Sequence, residues 1–144
     1  MAITQTLTDT FLQDCLDGGH NLGNGGDTLK IALYTSSATL GATTSAYTTS
    51  NEVSGTGYTA GGATLSSQAV AYDATNQVAF FDAADPTWTS ASFTARGALI
   101  YNDSATGDPA VAVLDFGGDK TATSGTFTIQ FPTADASNAI LRIA

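Results

Sequence analysis

The chain has 144 residues, 13 acidic and four basic side chains, and a formal net charge of −9. One histidine (His20), one cysteine (Cys15) and one glutamate (Glu52) are its scarcest reactive groups. The four basic residues are scattered, which excludes the clustered Lys and Arg that nucleic acids and anionic membranes require. A single cysteine also excludes an internal disulfide. We therefore predict a structural or binding protein, with no nucleic-acid partner, no membrane partner, no cofactor and no enzymatic activity.

This length indicates one domain, which is large enough to bury roughly two-thirds of the surface that its unfolded chain exposes. No apolar run approaches the roughly 18 residues of a membrane-spanning helix. The N-terminus also lacks the basic start and apolar core of a signal peptide, so export through a cleaved signal is not expected.

The first element is predicted to be an amphipathic helix, because apolar residues recur every four positions near the N-terminus. The stripe consists of Ile3, Leu7, Phe11 and Cys15, widened by Leu12 and Leu16. Thr4 or Thr6 is the expected cap, Gly18-Gly19 is the expected end, and Cys15 is expected on the buried face. Residues 1–27 are predicted to form this helix and a Gly-rich loop.

From Thr28 onward the apolar pattern has period two, which is typical of strands. Leu29, Ile31 and Leu33 are predicted to form one apolar face of the first strand, with its alternate residues on a second, outer face. Residues 36–62 are rich in Thr, Ser and Gly, and we expect an ordered excursion there with a short strand at 52–54.

Six further strands are predicted between polar turns, at 63–72, 77–82, 93–101, 110–116, 125–131 and 139–143. Short, evenly spaced strands favour an antiparallel arrangement over alternating strands and helices. The predicted fold is therefore mainly β: an antiparallel β-sandwich or jelly roll over 28–144, with the irregular excursion at 36–62 and one N-terminal helix.

Few residues qualify as catalytic or metal-binding groups. His20 lies in a Gly-rich loop without a G-x-S-x-G nucleophile motif, and we interpret it as a loop residue. The acidic pairs Asp82/Asp85 and Asp115/Asp119 read first as turn residues. A structural Ca²⁺ held by loop carboxylates stays open, with solvated turn acids as the default interpretation. Its candidate ligands are Asp103, Asp108 and Asp119.

Aromatic residues allow two interpretations. They either form a sugar-stacking platform around Trp88 or pack in the core, and packing is favoured in a sandwich. The set comprises Trp88, Phe93 and Tyr101 with Tyr34, Tyr47, Tyr58 and Tyr72. Arg96, in the middle of a predicted strand, either faces solvent or pairs with an aspartate at a subunit contact.

Several stretches resemble a family of small tailed-bacteriophage virion structural proteins. They are K-I-A-L-Y-T-S-S-A (30–38), N-E-V-S-G-T-G-Y (51–58), T-W-T (87–89), F-T-A-R-G-A-L-I-Y (93–101) and F-T-I-Q-F-P (127–132). The resemblance covers most of the chain and implies a place in the virion. Within such a family it implies a capsid cement (decoration) protein. The alternative is a tail, collar or fibre module that binds host glycans.

The cement interpretation implies binding to the major capsid protein and to further copies of the chain, with a homotrimer as the expected assembly. It implies synthesis in the host cytoplasm and a final place on the outer capsid surface. The helix and the excursion are the predicted contact segments, and we expect removal of residues 1–19 to leave the sandwich folded. The candidate assembly contacts are Leu7, Phe11, Tyr47, Glu52, Val53, Tyr58 and Arg96.

Overall fold

The protein is mainly β, with two antiparallel sheets and one short helix, as predicted. The computed structural model describes residues 2–144. The elements are β1 (Thr6–Leu7), α1 (Asp9–Asp17), β2 (Leu29–Tyr34), β3 (Ala63–Thr64), β4 (Ala69–Asp73), β5 (Val78–Asp82), β6 (Thr87–Asn102), β7 (Ala110–Thr128) and β8 (Leu141–Ile143). The large sheet has the order β1-β7-β6-β2-β3, and the small sheet has the order β4-β5-β8. Among the described residues, no helix is long and apolar enough to cross a membrane.

The N-terminal helix begins later than predicted. Thr8 is its N-cap, and its hydroxyl accepts a hydrogen bond from the backbone N–H of Phe11 at 3.1 Å. The same hydroxyl donates to the carbonyl of Ala110 at 2.8 Å. Thr4 and Thr6 are not the cap, because the preceding segment is extended and Thr6–Leu7 pairs with β7. The four-residue spacing of Ile3 and Leu7 therefore arises from an extended strand rather than from a helix.

The predicted buried face of the helix is also largely wrong. Of the apolar residues in α1, Phe11 is buried at 1% exposure, while Leu12 is 51% and Leu16 91% exposed. Cys15 is exposed as well. A helix of nine residues contacts the sheet mainly through one side chain, and Gly18 ends it in the left-handed conformation.

Residues 2–19 contribute to the core, which argues against the expectation that the segment 1–19 can be removed without loss of folding. Phe11 packs in the larger apolar cluster, and Ile3 packs in a second one. Thr8 is fully buried. Removing these groups would expose apolar surface and leave the carbonyl of Ala110 without its partner.

Strand β2 is buried on both faces rather than on one. Leu29, Ile31 and Leu33 face the cluster between the sheets, as predicted. Ala32 and Tyr34, predicted on the outer face, are fully buried in the second cluster, on the opposite face of the large sheet. Ile3 and the first part of the excursion, through Ala38, Leu40 and Tyr47, cover that face, whereas Val53 of the excursion packs in the cluster between the sheets.

The long hairpin β6–β7 replaces three predicted strands. Strands 110–116 and 125–131 were predicted with a turn between them, but β7 runs through from Ala110 to Thr128. The turn-like residues form irregularities in its pairing with β6, since five steps along β7 (Asp115 to Lys120) lie opposite two steps along β6 (Gly97 to Ala95). Gly117 and Ser124 have positive φ angles of 75° and 46°. Bulges of this kind bend a strand without ending it.

The predicted strand 63–72 is in fact two strands in two sheets. Residues 63–64 pair with β2 and residues 69–73 pair with β5. The chain changes sheets at Ser67, which has a φ of 53°. Strands predicted at 77–82 and 139–143 correspond to β5 and β8, whereas 52–54 contains only an isolated bridge between Glu52 and Tyr34.

Candidate functional site

The best-connected side chain in the excursion is the carboxylate of Glu52. Its Oε2 accepts a hydrogen bond from the hydroxyl of Tyr47 at 2.6 Å. Its Oε1 accepts from the hydroxyl of Tyr58 at 2.6 Å and from the N–H of Gly61 at 2.7 Å. The Tyr58 hydroxyl in turn accepts from the N–H of Leu33 in β2 at 2.9 Å. Because hydrogen bonds to a charged acceptor are the strong ones, one carboxylate anchors the excursion to the large sheet.

Two further tyrosines complete this arrangement. The Tyr34 hydroxyl donates to the carbonyl of Thr48 at 2.6 Å, and the Tyr101 hydroxyl donates to the carbonyl of Gly61 at 2.7 Å. The rings of Tyr47 and Tyr101 stack with centroids 4.7 Å apart. We call this group the tyrosine–glutamate cluster: Tyr34, Tyr47, Glu52, Tyr58 and Tyr101.

The phenols of the cluster stay protonated over a wide pH range. Burial, followed by the hydrogen bond to Glu52, raises the pKa of Tyr47 to about 12. Burial is also the largest cause that raises the pKa of Tyr34, Tyr58 and Tyr101. The hydroxyls therefore act as donors, and their acceptors are groups of the protein itself. The cluster holds the excursion in place.

The N-E-V-S-G-T-G-Y run is explained by close approach to neighbouring strands. The backbone carbonyl of Thr56 accepts a hydrogen bond from the N–H of Ser92 in β6 at 2.9 Å. Val53 is buried. Gly57 has a φ of 84°, and a Cβ there would lie 2.8 Å from the carbonyl oxygen of Ser90. Only glycine fits a positive φ at such a distance. The residue types of this run are thus explained by how the excursion packs against the neighbouring strands.

His20 is an ordered, buried part of a polar network rather than a flexible loop residue. Its side chain is 2% exposed, with Nε2 at 3.3 Å from Oδ2 of Asp14. The Asn102 amide nitrogen lies 2.9 Å from His20 Nδ1 and 2.7 Å from Oδ2 of Asp27. An amide nitrogen only donates, so Nδ1 accepts and Nε2 carries the proton, which makes no hydrogen bond within the described residues although Asp14 is near. Hydrogen bonds from the N–H of Asn21, then from Asn102, lower the pKa of Asp27.

The acidic residues are used in local structure. Asp85 accepts from the N–H of Phe131 at 2.9 Å, and Asp103 lies 3.4 Å from Lys30 Nζ. Asp115 lies 3.4 Å from Arg96 Nε and accepts from the N–H of Gly117. Within residues 2–144, no three His, Cys, Asp or Glu side chains gather closely enough to hold a metal ion. Asp103, Asp108 and Asp119, considered as calcium ligands, therefore do not meet in one such group.

The aromatic residues pack in the core, as the favoured interpretation predicted. Trp88 and Phe93 are each 6% exposed, and Trp88 meets Phe127 edge-on at 5.9 Å. Tyr58 lies against both Trp88 and Phe93. The sugar-stacking platform around Trp88 is absent from the described residues, and Tyr72 is the exposed member of the aromatic set at 64%.

A groove of about 440 Å³ runs along β7. Phe116, Phe127 and Ile129 line it with several threonines, and Lys120 is its one ionisable lining residue. Arg96, on the neighbouring strand, is directed to Asp115 instead. The groove is thus an open depression of mixed polarity with a single positive charge.

The predicted contact residues divide into three groups. Tyr47, Glu52 and Tyr58 meet in the tyrosine–glutamate cluster, where they bind one another. Phe11 and Val53 are buried, and Leu7 is partly buried against the core. Arg96 is half-exposed and pairs with Asp115. Phe11 and Val53 are therefore not available for surface contacts, whereas the assignment of the other five as assembly contacts stays a prediction.

Exposed apolar residues, which the sequence analysis missed as contacts, gather on α1 and the small sheet. Leu12, Leu16, Val70, Tyr72 and Ile143 are the large hydrophobic side chains exposed by more than half. We call them the apolar face. Val70 and Ile143 border a small apolar groove over Phe11, which connects the small sheet to the helix. The A-V-A-Y-D alternation of 69–73 signals one such strand, but alternation alone does not tell a covered face from a bare one.

Comparison with protein-family models, with curated proteins and with solved structures finds no match to this chain.

Proposed function

We propose that this chain is a structural protein of a tailed-phage virion, and that it acts as a capsid cement protein. Its partners are the major capsid protein and further copies of itself, and its place is the outer capsid surface after synthesis in the host cytoplasm. The stretches that resemble phage structural proteins support the proposal that the chain is part of the virion. The apolar face is the observation that carries an assembly role.

The physical argument is that exposed apolar surface favours association. Leu16 is 91% exposed and Leu12 51%, on a helix that packs on the sheet through Phe11. Burying such side chains against a partner removes apolar area from water, at about 25 cal/mol per Å². Leu12 and Leu16 are four residues apart and so lie on the same side of the helix, and an exposed apolar surface of this kind is typical of interaction sites. The helix is thus the segment proposed to bind the capsid.

Cementing follows from repetition. A protein that contacts two neighbouring capsid subunits adds buried area across their junction, so separating the subunits also requires breaking those contacts. Weak contacts repeated at many sites give a large combined effect. The net charge of −9 repels other acidic particles and keeps decorated capsids dispersed.

The test is the copy number of this protein in purified virions of the phage that encodes it, measured against the major capsid protein. The proposal predicts hundreds of copies, in a simple ratio to the capsid subunits. A few to tens of copies would place it in the tail or at a vertex and overturn the cement role. Absence from virions would overturn the virion assignment itself.

A variant links the copy number to the surface. Leu16→Lys places a charge in the proposed capsid contact and is expected to lower occupancy at least tenfold. Thr123→Lys, at an exposed position on β7, makes the same charge change outside the apolar face and is expected to decorate normally. Equal occupancy of both variants would contradict the assignment of the helix.

A further inference from the structure

We infer that the outer edge of β4 pairs with the same edge of a second copy of this chain, in an antiparallel, two-fold arrangement centred on Ala71. This deepens the self-association within the proposed function and rests on that part of it alone. The pairing would join two small sheets into one six-stranded sheet.

Strand β4 is a bare edge. It is the terminal strand of the small sheet, so its outer backbone N–H and C=O groups have no strand partner among residues 2–144. Four of its five residues are exposed, including Val70 at 54% and Tyr72 at 64%. A flat, exposed, apolar edge strand is a template for pairing with another chain.

The long edge of the large sheet, which β7 forms, is protected against pairing with another chain. The edge that β4 forms lacks such protection. Strand β1 covers β7 only at Ala112 and Val113. Beyond that point, the edge of β7 carries Lys120 and two irregularities, with positive φ angles at Gly117 and Ser124. Charged side chains and bulges are the usual protection of an edge against pairing. Strand β4 has no lysine, arginine, proline or positive-φ residue within its span.

The remaining edges are short. Strands β1 and β3 have two residues each. Strand β8 has three, with Arg142 in the middle. Strand β4, with five residues, is therefore the longest unguarded edge in the described part of the chain.

The sequence of β4 suits pairing with itself. Centring on Ala71 uses all five residues and places Val70 opposite Tyr72 of the second copy, so both exposed apolar side chains gain a cross-strand partner. Aromatic and β-branched pairs of this kind stabilise antiparallel strands. Asp73 falls opposite Ala69, so no carboxylate faces another. Shifting the centre to Tyr72 leaves only three pairs.

A second copy of the chain is thus the partner that fits this edge, and two-fold symmetry repeats each contact between the two strands. Val70 and Tyr72 share a face with Ile143, because Val70 lies opposite Phe81, Tyr72 opposite Ala79, and Ala79 opposite Ile143. Pairing would merge the two apolar strips into one surface. An edge contact of this size is small, so we expect a weak, concentration-dependent dimer rather than a permanent one.

The experiment is disulfide trapping in a Cys15→Ser background, with mass measurement in solution. Ala71→Cys places two thiols directly across the two-fold axis, about 5 Å apart between Cβ atoms, and is expected to give a covalent dimer in mild oxidant. Ala69→Cys is the matched control on the same strand. Its two thiols would be roughly 14 Å apart along the strand, beyond disulfide reach, so it is expected to stay monomeric.

Two substitutions test the same edge without a thiol. The wild type is expected to dimerise at about 100 μM, a concentration at which weak pairs assemble. Tyr72→Lys is expected to abolish that dimer. Leu16→Lys makes a comparable change on the apolar face but off the edge, and is expected to dimerise normally. Both positions are exposed, so folding is preserved.

The overturning results are specific. A wild type that stays monomeric at that concentration, equal trapping of the two cysteine variants, or a Tyr72→Lys dimer would each refute the β4 pairing. None of these results changes the virion copy number, which tests the proposed function separately.

Discussion

The 36–62 excursion and the small sheet show opposite relations between regular structure and burial. The excursion contains no regular strand, yet Val53 is buried and its polar groups are bound by the tyrosine–glutamate cluster. The small sheet has regular antiparallel pairing, yet Val70, Tyr72 and Ile143 lie exposed. The polar groups of the tyrosine–glutamate cluster find their partners within the protein, whereas the small sheet presents apolar surface that another molecule can cover.

The difference separates two uses of side chains. In the tyrosine–glutamate cluster, four phenols and one carboxylate from the excursion, β2 and β6 satisfy one another and the local backbone, which is the condition for burying polar groups at low cost. On the small sheet, apolar side chains of the outer strands extend past the core that Phe81 and Leu141 form. We therefore expect the exposed apolar side chains of the small sheet to bind other molecules, and the tyrosine–glutamate cluster to stabilise the fold.

The largest expected effect is that of Gly62→Ala, which tests whether the excursion is locked against β2. Gly62 has a φ of 79°, and a Cβ there would lie 1.9 Å from the carbonyl oxygen of Ile31. The backbone must move, so we expect the free energy of unfolding to fall by roughly 3–5 kcal/mol. Urea unfolding followed by circular dichroism measures it.

Gly107→Ala is the matched control for that substitution. Its φ is 85°, but a Cβ there would meet nothing within 4 Å. We expect only the strain of the left-handed conformation, about 1–2 kcal/mol. Equal losses for the two variants would mean that the excursion is not held closely against β2.

The next effect is that of Glu52→Ala, which removes the acceptor of three hydrogen bonds. The hydroxyls of Tyr47 and Tyr58 and the N–H of Gly61 lose their partner. We expect a loss of about 2–4 kcal/mol in unfolding free energy. Glu52→Gln keeps one oxygen acceptor and should lose about half as much. An alanine variant as stable as the wild type would contradict the central role of Glu52.

A smaller effect appears at alkaline pH. In the unfolded chain tyrosine ionises near its ordinary pKa of about 10, whereas the pKa of Tyr47 in the folded protein is about 12. Between these values the unfolded state binds fewer protons than the folded state, so stability falls as pH rises. Tyr47→Phe should lessen that fall in a series of urea unfolding curves from pH 8 to pH 12, compared with Tyr72→Phe as the control. Identical pH slopes for the two variants would refute the contribution of Tyr47.

The smallest effect on stability is expected for Leu16→Ser. Its side chain is 91% exposed, so the free energy of unfolding should change by no more than about 0.5 kcal/mol. Phe11→Ala, five residues earlier and 1% exposed, should cost about 3–5 kcal/mol. Thermal melts of the two variants measure the contrast. A large loss for Leu16→Ser would show that the helix is held by its outer side as well.

The sequence predicted the fold class and most of the strands, because period-two alternation is a strong local signal. It misplaced the helix start, since Ile3 and Leu7 serve two different apolar clusters from an extended segment. It also divided β7 at Gly117, because a bulge and a turn use the same residues. These errors arise where tertiary contacts decide between two local patterns.

The site was predicted only in part. The sequence singled out Tyr47, Glu52 and Tyr58 as important, but as assembly contacts rather than as a closed internal cluster. Their partnership depends on Leu33 and Tyr101, which are brought in from distant parts of the chain, and on Gly61 within the excursion. The exposure of Val70 and Tyr72 was not predictable either, because it depends on which strand ends the sheet.

Hydrogen exchange on the intact protein at low and high concentration tests the comparison most directly. We predict that the amides of Glu52, Val53, Tyr58 and Gly61, which donate hydrogen bonds within the protein, are strongly protected at both concentrations, although no regular strand contains them. Amides of β4 should be weakly protected when dilute and gain protection when concentrated, with no such gain in Tyr72→Lys. Fast exchange throughout 52–61, or β4 protection that does not depend on concentration, would contradict the account.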